Sequence, residues 1–216
     1  MSLLVCHNKE EHLELKPIIA GQDIVCYKVL GYELGAYSCD PELFTIYQHM
    51  IIRLGEKYDN LDVSDIQNVT ENVEMLVDCG VEIDDDHVAY ELNGGFYHSY
   101  EFLDDAIEDL HDSCNTGIVI KCIIPKSTEF YVGRDLVGHT SYASRSIIYT
   151  NEIEYQTDWH DMNWGEENCQ NAHDNFFKFL LEMDKAGIKY IIDGKLQAAI
   201  DEFNSKYPSH SVAAPA

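Results

Sequence analysis

Between Tyr58 and Ile120 the chain carries seventeen carboxylates and neither a lysine nor an arginine. They are Asp59, Asp62, Asp65, Glu71, Glu74, Asp78, Glu82, Asp84, Asp85, Asp86, Glu91, Glu101, Asp104, Asp105, Glu108, Asp109 and Asp112. Such a segment folds only by burying its apolar residues on one side and leaving its acids in water on the other. Like charges one helical turn apart each cost about 0.2–0.5 kcal/mol, which burial has to outweigh. A second stretch free of cations, from Ser146 to Phe177, holds Glu152, Glu154, Asp158, Asp161, Glu166, Glu167 and Asp174. Between the two, Lys121, Lys126, Arg134 and Arg145 face only Glu129 and Asp135. Over 216 residues, 14 Lys+Arg stand against 39 Asp+Glu, a formal charge of −25. Charge segregated in this way sets up a field across the molecule.

That field excludes function classes. Gripping a nucleic-acid backbone or an anionic lipid surface takes clustered Lys and Arg, so neither direct nucleic-acid nor membrane binding is expected. Disorder is excluded as well, because 45% hydrophobic residues suffice for a packed core. No apolar run approaches the roughly 18–20 residues of a membrane span. The first ten residues lack the basic, then apolar, pattern of a signal peptide, so secretion is not expected. Seven cysteines, an odd number without a Cys-x-x-Cys, read as reduced structural residues rather than as disulfides or a zinc site.

Local pattern predicts an α+β fold, a short mixed or antiparallel sheet with about five surrounding helices. Strands are expected over residues 24–30, 87–92, 96–98, 117–124, 128–132 and 146–150, with 153–155 continuing the last and another over 189–192. Asp40-Pro41 reads as the start of a helix carrying Leu43, Tyr47, Met50, Ile51 and Leu54 at helical spacing. A second helix is expected over 63–79, with Ile66, Val69, Val73, Leu76 and Val77 inward. Ser99 is placed to cap a third, from Tyr100 to about Asp112. Its Leu103, Ala106, Ile107 and Leu110 face inward and Asp104, Asp105, Glu108 and Asp109 outward. A fourth runs from about 166 to 185. A last one, capped by Asp193, carries Leu196, Ala199, Ile200 and Phe203. The organisation expected is one domain over 1–207, a helical acidic insertion at about 58–86, and a flexible tail over 208–216.

Few motifs carry chemistry. Residues 158–174 are rich in metal-capable side chains, among them Glu166, Glu167, Cys169, His173 and Asp174, but lack His-Glu-x-x-His or a similar ligand spacing. Asp84-Asp85-Asp86 lacks the remainder of a calcium loop. No phosphate-binding glycine loop and no nucleophile elbow occurs. No metal site and no cofactor are therefore expected.

Two segments carry a resemblance. One is Gly94-Gly95-Phe96-Tyr97-His98-Ser99-Tyr100 with Glu101-Phe102-Leu103-Asp104-Asp105-Ala106 behind it. The other is Ile123-Ile124-Pro125-Lys126-Ser127-Thr128, followed by Tyr142-Ala143-Ser144. This order resembles a loose group of phage and prophage proteins with a Gly-Phe-His turn, an Ile-Pro-Lys-Gly-Thr strand end and a Tyr-Ala-Ser strand entry. Here Tyr97 interrupts the first motif, and Ser127 replaces the glycine of the second. More distantly the layout resembles an ADP-ribosyltransferase fold. That resemblance implies a first-strand position at Tyr27, a middle one at Ser99 or Tyr100, and a late catalytic carboxylate at Glu152 or Glu154, with NAD as cofactor.

The function expected is that of an acidic phage-type protein acting by protein–protein interaction in the host cytoplasm or the virion. It would be virion-associated, or a host-takeover inhibitor whose carboxylates imitate DNA charge. The binding residues expected are Asp84, Asp85, Asp86, Asp104, Asp105, Glu108, Asp109 and Asp112, and the partner is a basic protein surface such as that of a nucleic-acid-binding host protein. The alternatives are the NAD-dependent transferase and, third, a metal-dependent hydrolase using residues 158–174.

Overall fold

A computed structural model describes residues 2–8, 15–34, 41–47, 50–59, 65–81, 84, 86–113, 117–156, 180–181, 194–206 and 208. Among them thirteen strands and three helices are formed. The strands are β1 Leu3–Asn8, β2 Ile18–Ile19, β3 Ile24–Leu34, β4 Pro41–Thr45, β5 Ile51–Ile52, β6 Lys57–Asp59, β7 Ile66–Asn68, β8 His87–Leu92, β9 Tyr97–Tyr100, β10 Gly117–Ile124, β11 Glu129–Arg134, β12 Thr140–Ser144 and β13 Ser146–Gln156. The helices are α1 Val73–Asp78, α2 Leu103–Ser113 and α3 Gly194–Lys206. The molecule is thus a large antiparallel sheet with few helices, not the α+β fold with about five helices that local pattern predicts.

The chain divides into two compact units. The first is Met1–Lys28, Gly55–Ala106 and Cys122–Tyr149; the second is Val29–Leu54, Ile107–Lys121 and Thr150–Ala216. Strands β3, β10 and β13 run from one into the other. In the first unit the strand order is β6-β13-β10-β3-β9-β12-β11-β1-β8-β7, with β2 on β11. One face of this sheet packs Leu3, Leu92, Phe96, Tyr131 and Ala143 together. Another cluster joins Leu4, Leu76, Cys79 and Ala89, and so seats α1 through its Leu76. Arg145 lies over the Phe96 ring at 4.4 Å and donates to the Gly95 carbonyl at 3.1 Å.

In the second unit β4 pairs with β3 and β5 with β4, where a helix over 41–55 is expected. Phe44, Thr45, Ile46, Tyr47, Ile51 and Ile52 are β-branched or aromatic, types that suit a pleated half-buried surface. The turn closes when the Thr45 amide donates to the Met50 carbonyl (2.9 Å) and the Met50 amide to Thr45 Oγ1 (3.1 Å). Gly31 lies opposite Phe44, whose ring covers the space a side chain would take: a Cβ there would stand 2.5 Å from Phe44 Cζ.

The second expected helix, over 63–79, is split into β7 and α1. Asn68 Oδ1 accepts from the amide (3.1 Å) and hydroxyl (2.8 Å) of Thr70, and Asn72 caps α1 by accepting from the Met75 amide (3.4 Å). Side chains that bond the nearby backbone in this way compete with the helix ladder and end it. Ser99, expected as a cap, lies inside β9, and α2 starts four residues later. The last helix forms as expected, with Ile200 buried. The fourth falls outside the described residues except for helical Leu180 and Leu181, and the expected strand over 189–192 falls wholly outside them.

Backbone constraint is sharpest at two positions of the first unit. The β10–β11 turn closes with the Thr128 amide donating to the Pro125 carbonyl (3.1 Å), and its third residue, Ser127, has φ +70°. That geometry is a type II turn, which favours glycine at this place. A Cβ on Gly133 would stand 2.1 Å from the Leu4 carbonyl oxygen, so glycine alone lets β11 approach β1. Urea unfolding is expected to show opposite shifts. Gly133→Ala loses at least about 1–3 kcal/mol by forcing strands apart, whereas Ser127→Gly gains up to about 1 kcal/mol by removing left-handed strain.

Candidate functional site

The interior of the first unit is polar for a sheet core. Tyr27 pairs with Tyr100 across β3 and β9, which sets Lys28 opposite Ser99. Cys26, Lys28, Tyr97, His98, Ser99, Cys122, Ser144 and Tyr149 are all buried. Tyr58 of β6 packs edge-on against Tyr149 (5.2 Å) and Tyr97 (6.4 Å). Burial pushes the Cys26 thiol up to about 12, against the pull of the Lys28 ammonium, and raises Cys122 and Tyr149 as well. Burial drives His98 the other way, down to about 3. Lys28 adds to that fall, and the hydrogen bond to the Asn93 carbonyl (3.0 Å) opposes it. At neutral pH the thiols stay protonated and the imidazole neutral, so none of them is primed as a nucleophile or acid.

The residues that the transferase resemblance singles out are distributed as follows. Ser99 is 0% and Tyr100 1% exposed, while Tyr27 is half-buried. These three belong to the first unit. Glu152 and Glu154 belong to the second, on β13, where Glu152 Oε2 accepts from Lys121 Nζ at 2.7 Å. That pair lies at the surface and contributes little to stability.

The acidic residues differ in burial and in their hydrogen bonds. Asp84 Oδ1 accepts from the Asp86 amide (2.9 Å) and meets His87 Nδ1 at 2.5 Å. The His87 contact holds the Asp84 carboxyl below the usual carboxylate range. Asp85 lies outside the described residues. On α2, Asp109 faces inward: it is 5% exposed, and its Oδ1 accepts from the hydroxyls of Tyr47 and Ser113, both at 2.6 Å. The expected outward position of Asp109 is therefore corrected. It follows Ala106 by three residues and precedes Leu110, which sets it on their buried side. Asp104, Glu108 and Asp112 stand exposed at one-turn spacing, and Asp105 is half-buried. His111, the one basic side chain of α2, meets the Tyr155 hydroxyl at 3.1 Å.

Two surface features were not foreseen. Val73 and Val77, expected inward, are 59% and 63% exposed, since α1 buries only Leu76 fully. An open groove of about 880 Å³ lies at the end of β7, lined by Asn68, Val69, Thr70, Glu71, Asn72 and Val88. Among the described residues no group of three or more His, Cys, Asp or Glu could hold a metal ion, and no helix is long and apolar enough to cross a membrane. The candidate ligands at 158–174 lie outside the described residues. Compared with protein-family models, curated proteins and solved structures, the chain matches none.

Two measurements check these roles. Because His98 is held below its ordinary 6.5, the unfolded chain takes up a proton that the folded one refuses. Stability is thus full above pH 6.5 and falls toward pH 3, by up to about 1.4 kcal/mol per unit. Urea unfolding between pH 7 and pH 5 (above the range where carboxylates titrate) is expected to show this slope, and His98→Gln to flatten it. Asp109→Ala, which strips two hydroxyls of their acceptor, is expected to cost about 1–3 kcal/mol in the same assay, while Asp112→Ala costs nothing.

Proposed function

We propose that the protein acts by protein–protein interaction, presenting the exposed carboxylates of α2 to a basic protein surface. One observation carries this reading: Asp104, Glu108 and Asp112 stand exposed in a row at one-turn spacing along α2. Asp104 sits in the first turn, where the helix dipole welcomes a negative charge. Glu108 and Asp112 follow at four-residue steps, each repelling the one before. Asp112 also lies in the last turn, where the dipole disfavours an acid. A basic partner would offset the repulsion within such a row, through steering and complementary contact.

Spacing bears on the kind of partner. Eight residues at 1.5 Å carry Asp104 to Asp112 across about 12 Å of helix axis. Duplex DNA sets about seven phosphates along that length. Three carboxylates are less than half that density, which favours a local basic patch on a protein over imitation of a DNA backbone. The resemblance to phage and prophage proteins supports a virion-associated or host-takeover setting for such a partner.

The test uses the triple variant Asp104→Lys, Glu108→Lys, Asp112→Lys. A control of equal charge change carries Glu129→Lys, Asp201→Lys and Glu202→Lys. In affinity capture from a bacterial lysate at about 50 mM salt, the α2 variant is expected to lose its partner by at least about tenfold while circular dichroism shows it folded and the control variant keeps the partner. Capture by the parent should fade toward about 500 mM salt. Equal capture by both triple variants, or capture indifferent to salt, would overturn the reading.

A further inference from the structure

Strand β7 closes one end of the strand path, and its Ile66, Gln67 and Asn68 are all exposed. Its pairing with β8 fixes which backbone groups are used. The Asp65 amide donates to Gly94 (3.0 Å), the Asn93 amide to Asp65 (2.9 Å) and the Val69 amide to Ala89 (2.9 Å). With Gln67 opposite Glu91 in the same register, residues 65, 67 and 69 turn their polar groups toward β8. In an antiparallel ladder the alternate residues, Ile66 and Asn68, then turn N–H and C=O outward. No other strand among the described residues pairs with that side. Sheet edges of this kind are the template for strand addition.

The surroundings say what would be added. The open groove at the end of β7 carries Glu71 in its lining. Asp65 and Glu74 are exposed on the adjoining segments, and Glu91 is half-buried on β8 opposite Gln67. The sequence offers no lysine or arginine from Tyr58 to Ile120 to offset them. A second copy of this chain would bring the same acids against themselves. We propose that the outer edge of β7 receives an extended, basic segment of a partner protein as an added strand, with its cationic side chains against Asp65, Glu71, Glu74 and Glu91. This rests on the interaction reading above and names the mode of contact and the chemistry of the partner.

The probe is a labelled octapeptide of alternating lysine and valine, followed by fluorescence anisotropy. A matched peptide has alternate amides N-methylated, so that one of its edges cannot pair. Binding to the wild-type protein is expected to weaken at least about tenfold with the N-methylated peptide and to fall with added salt. Ile66→Pro removes one outward N–H at an edge that tolerates proline, and it is expected to weaken the parent peptide as much without lowering the melting temperature. The α2 triple variant is expected to keep parent-peptide affinity within about twofold, because the contact is elsewhere. No binding, or equal binding of both peptides, would overturn the proposal whatever the fate of Ile66→Pro. So would loss on the α2 variant with retention on Ile66→Pro, which leaves the interaction reading standing at α2. A dimer in sedimentation that dissociates in Ile66→Pro would assign the edge to a second copy and overturn the basic-segment occupant.

Discussion

The first unit depends on the alternation of β1. Consecutive side chains of a strand point to opposite faces. Leu3 therefore enters the cluster of Leu92, Phe96, Tyr131 and Ala143, and Leu4 the cluster of Leu76, Cys79 and Ala89. Both leucines are essentially without solvent contact. β1 pairs with β8 along its whole length, from Leu3↔Leu92 to Asn8↔His87, and meets β11 at Leu4↔Arg134. A slip of one residue would exchange the two leucines between faces and unseat α1, so the register is strongly specified. Gly133 belongs to the same constraint, since its bare Cα admits the Leu4 carbonyl.

The helices, not the strands, carry most of the carboxylates set in regular elements between Tyr58 and Ile120: Glu74 and Asp78 on α1 and Asp104, Asp105, Glu108, Asp109 and Asp112 on α2, against Asp59 on β6 and Glu91 on β8. Burial of the apolar side of each helix therefore outweighs the repulsion along the other. Among the described residues of this stretch only α1 and α2 form, and α1 is short. α2 forms because Ala106, Leu110 and the hydrogen-bonded Asp109 fill one side of it, while Tyr47 and Ser113 satisfy the inward carboxylate. The interior follows the opposite rule to the surface. Its thiols, tyrosines and imidazole are held in their neutral forms by burial.

What the sequence made legible follows from which forces are local. Strands β8 and β10 match the reading residue for residue, because each is a continuous run bounded by Asn93, Pro125 or Gly117. α3 is legible from the apolar stripe of the sequence, and the Asp193 expected to cap it lies outside the described residues. Strands β4 and β5 were not, because Asp40-Pro41 and the spacing of Leu43, Tyr47, Met50 and Ile51 imitate a helix start. Only the pairing with Gly31 and its neighbours across β3 decides for strand. β1 carries too little pattern over six residues, and its identity comes from partners on β8 that are distant in sequence, from Leu92 opposite Leu3 to His87 opposite Asn8. At the candidate site the exposed acids of α2 were legible and the inward Asp109 was not. The signal for it existed in its three-residue step from Ala106. The neutral His98 depends on burial and on a lysine brought in by the fold, which no local pattern encodes.

The two ends of the strand path are guarded differently, and the difference bears on function. β6, at one end, reads Lys57-Tyr58-Asp59, with a 2.8 Å ion pair between its charged residues and its tyrosine packed on Tyr149. Charged side chains on a short edge strand are a common defence against unwanted pairing. β7, at the other end, reads Ile66-Gln67-Asn68 and bears neither charge nor proline. The same Asn68, Thr70 and Asn72 that stop a helix from running through this segment leave its backbone extended at the margin of the sheet. A chain with −25 charges has acid to spare for closing such an edge, yet holds Asp65, Glu71 and Glu74 beside it instead. Among the described residues no strand pairs with that side of β7, and acids beside such an edge repel another acidic chain, which is why the partner proposed for it is basic.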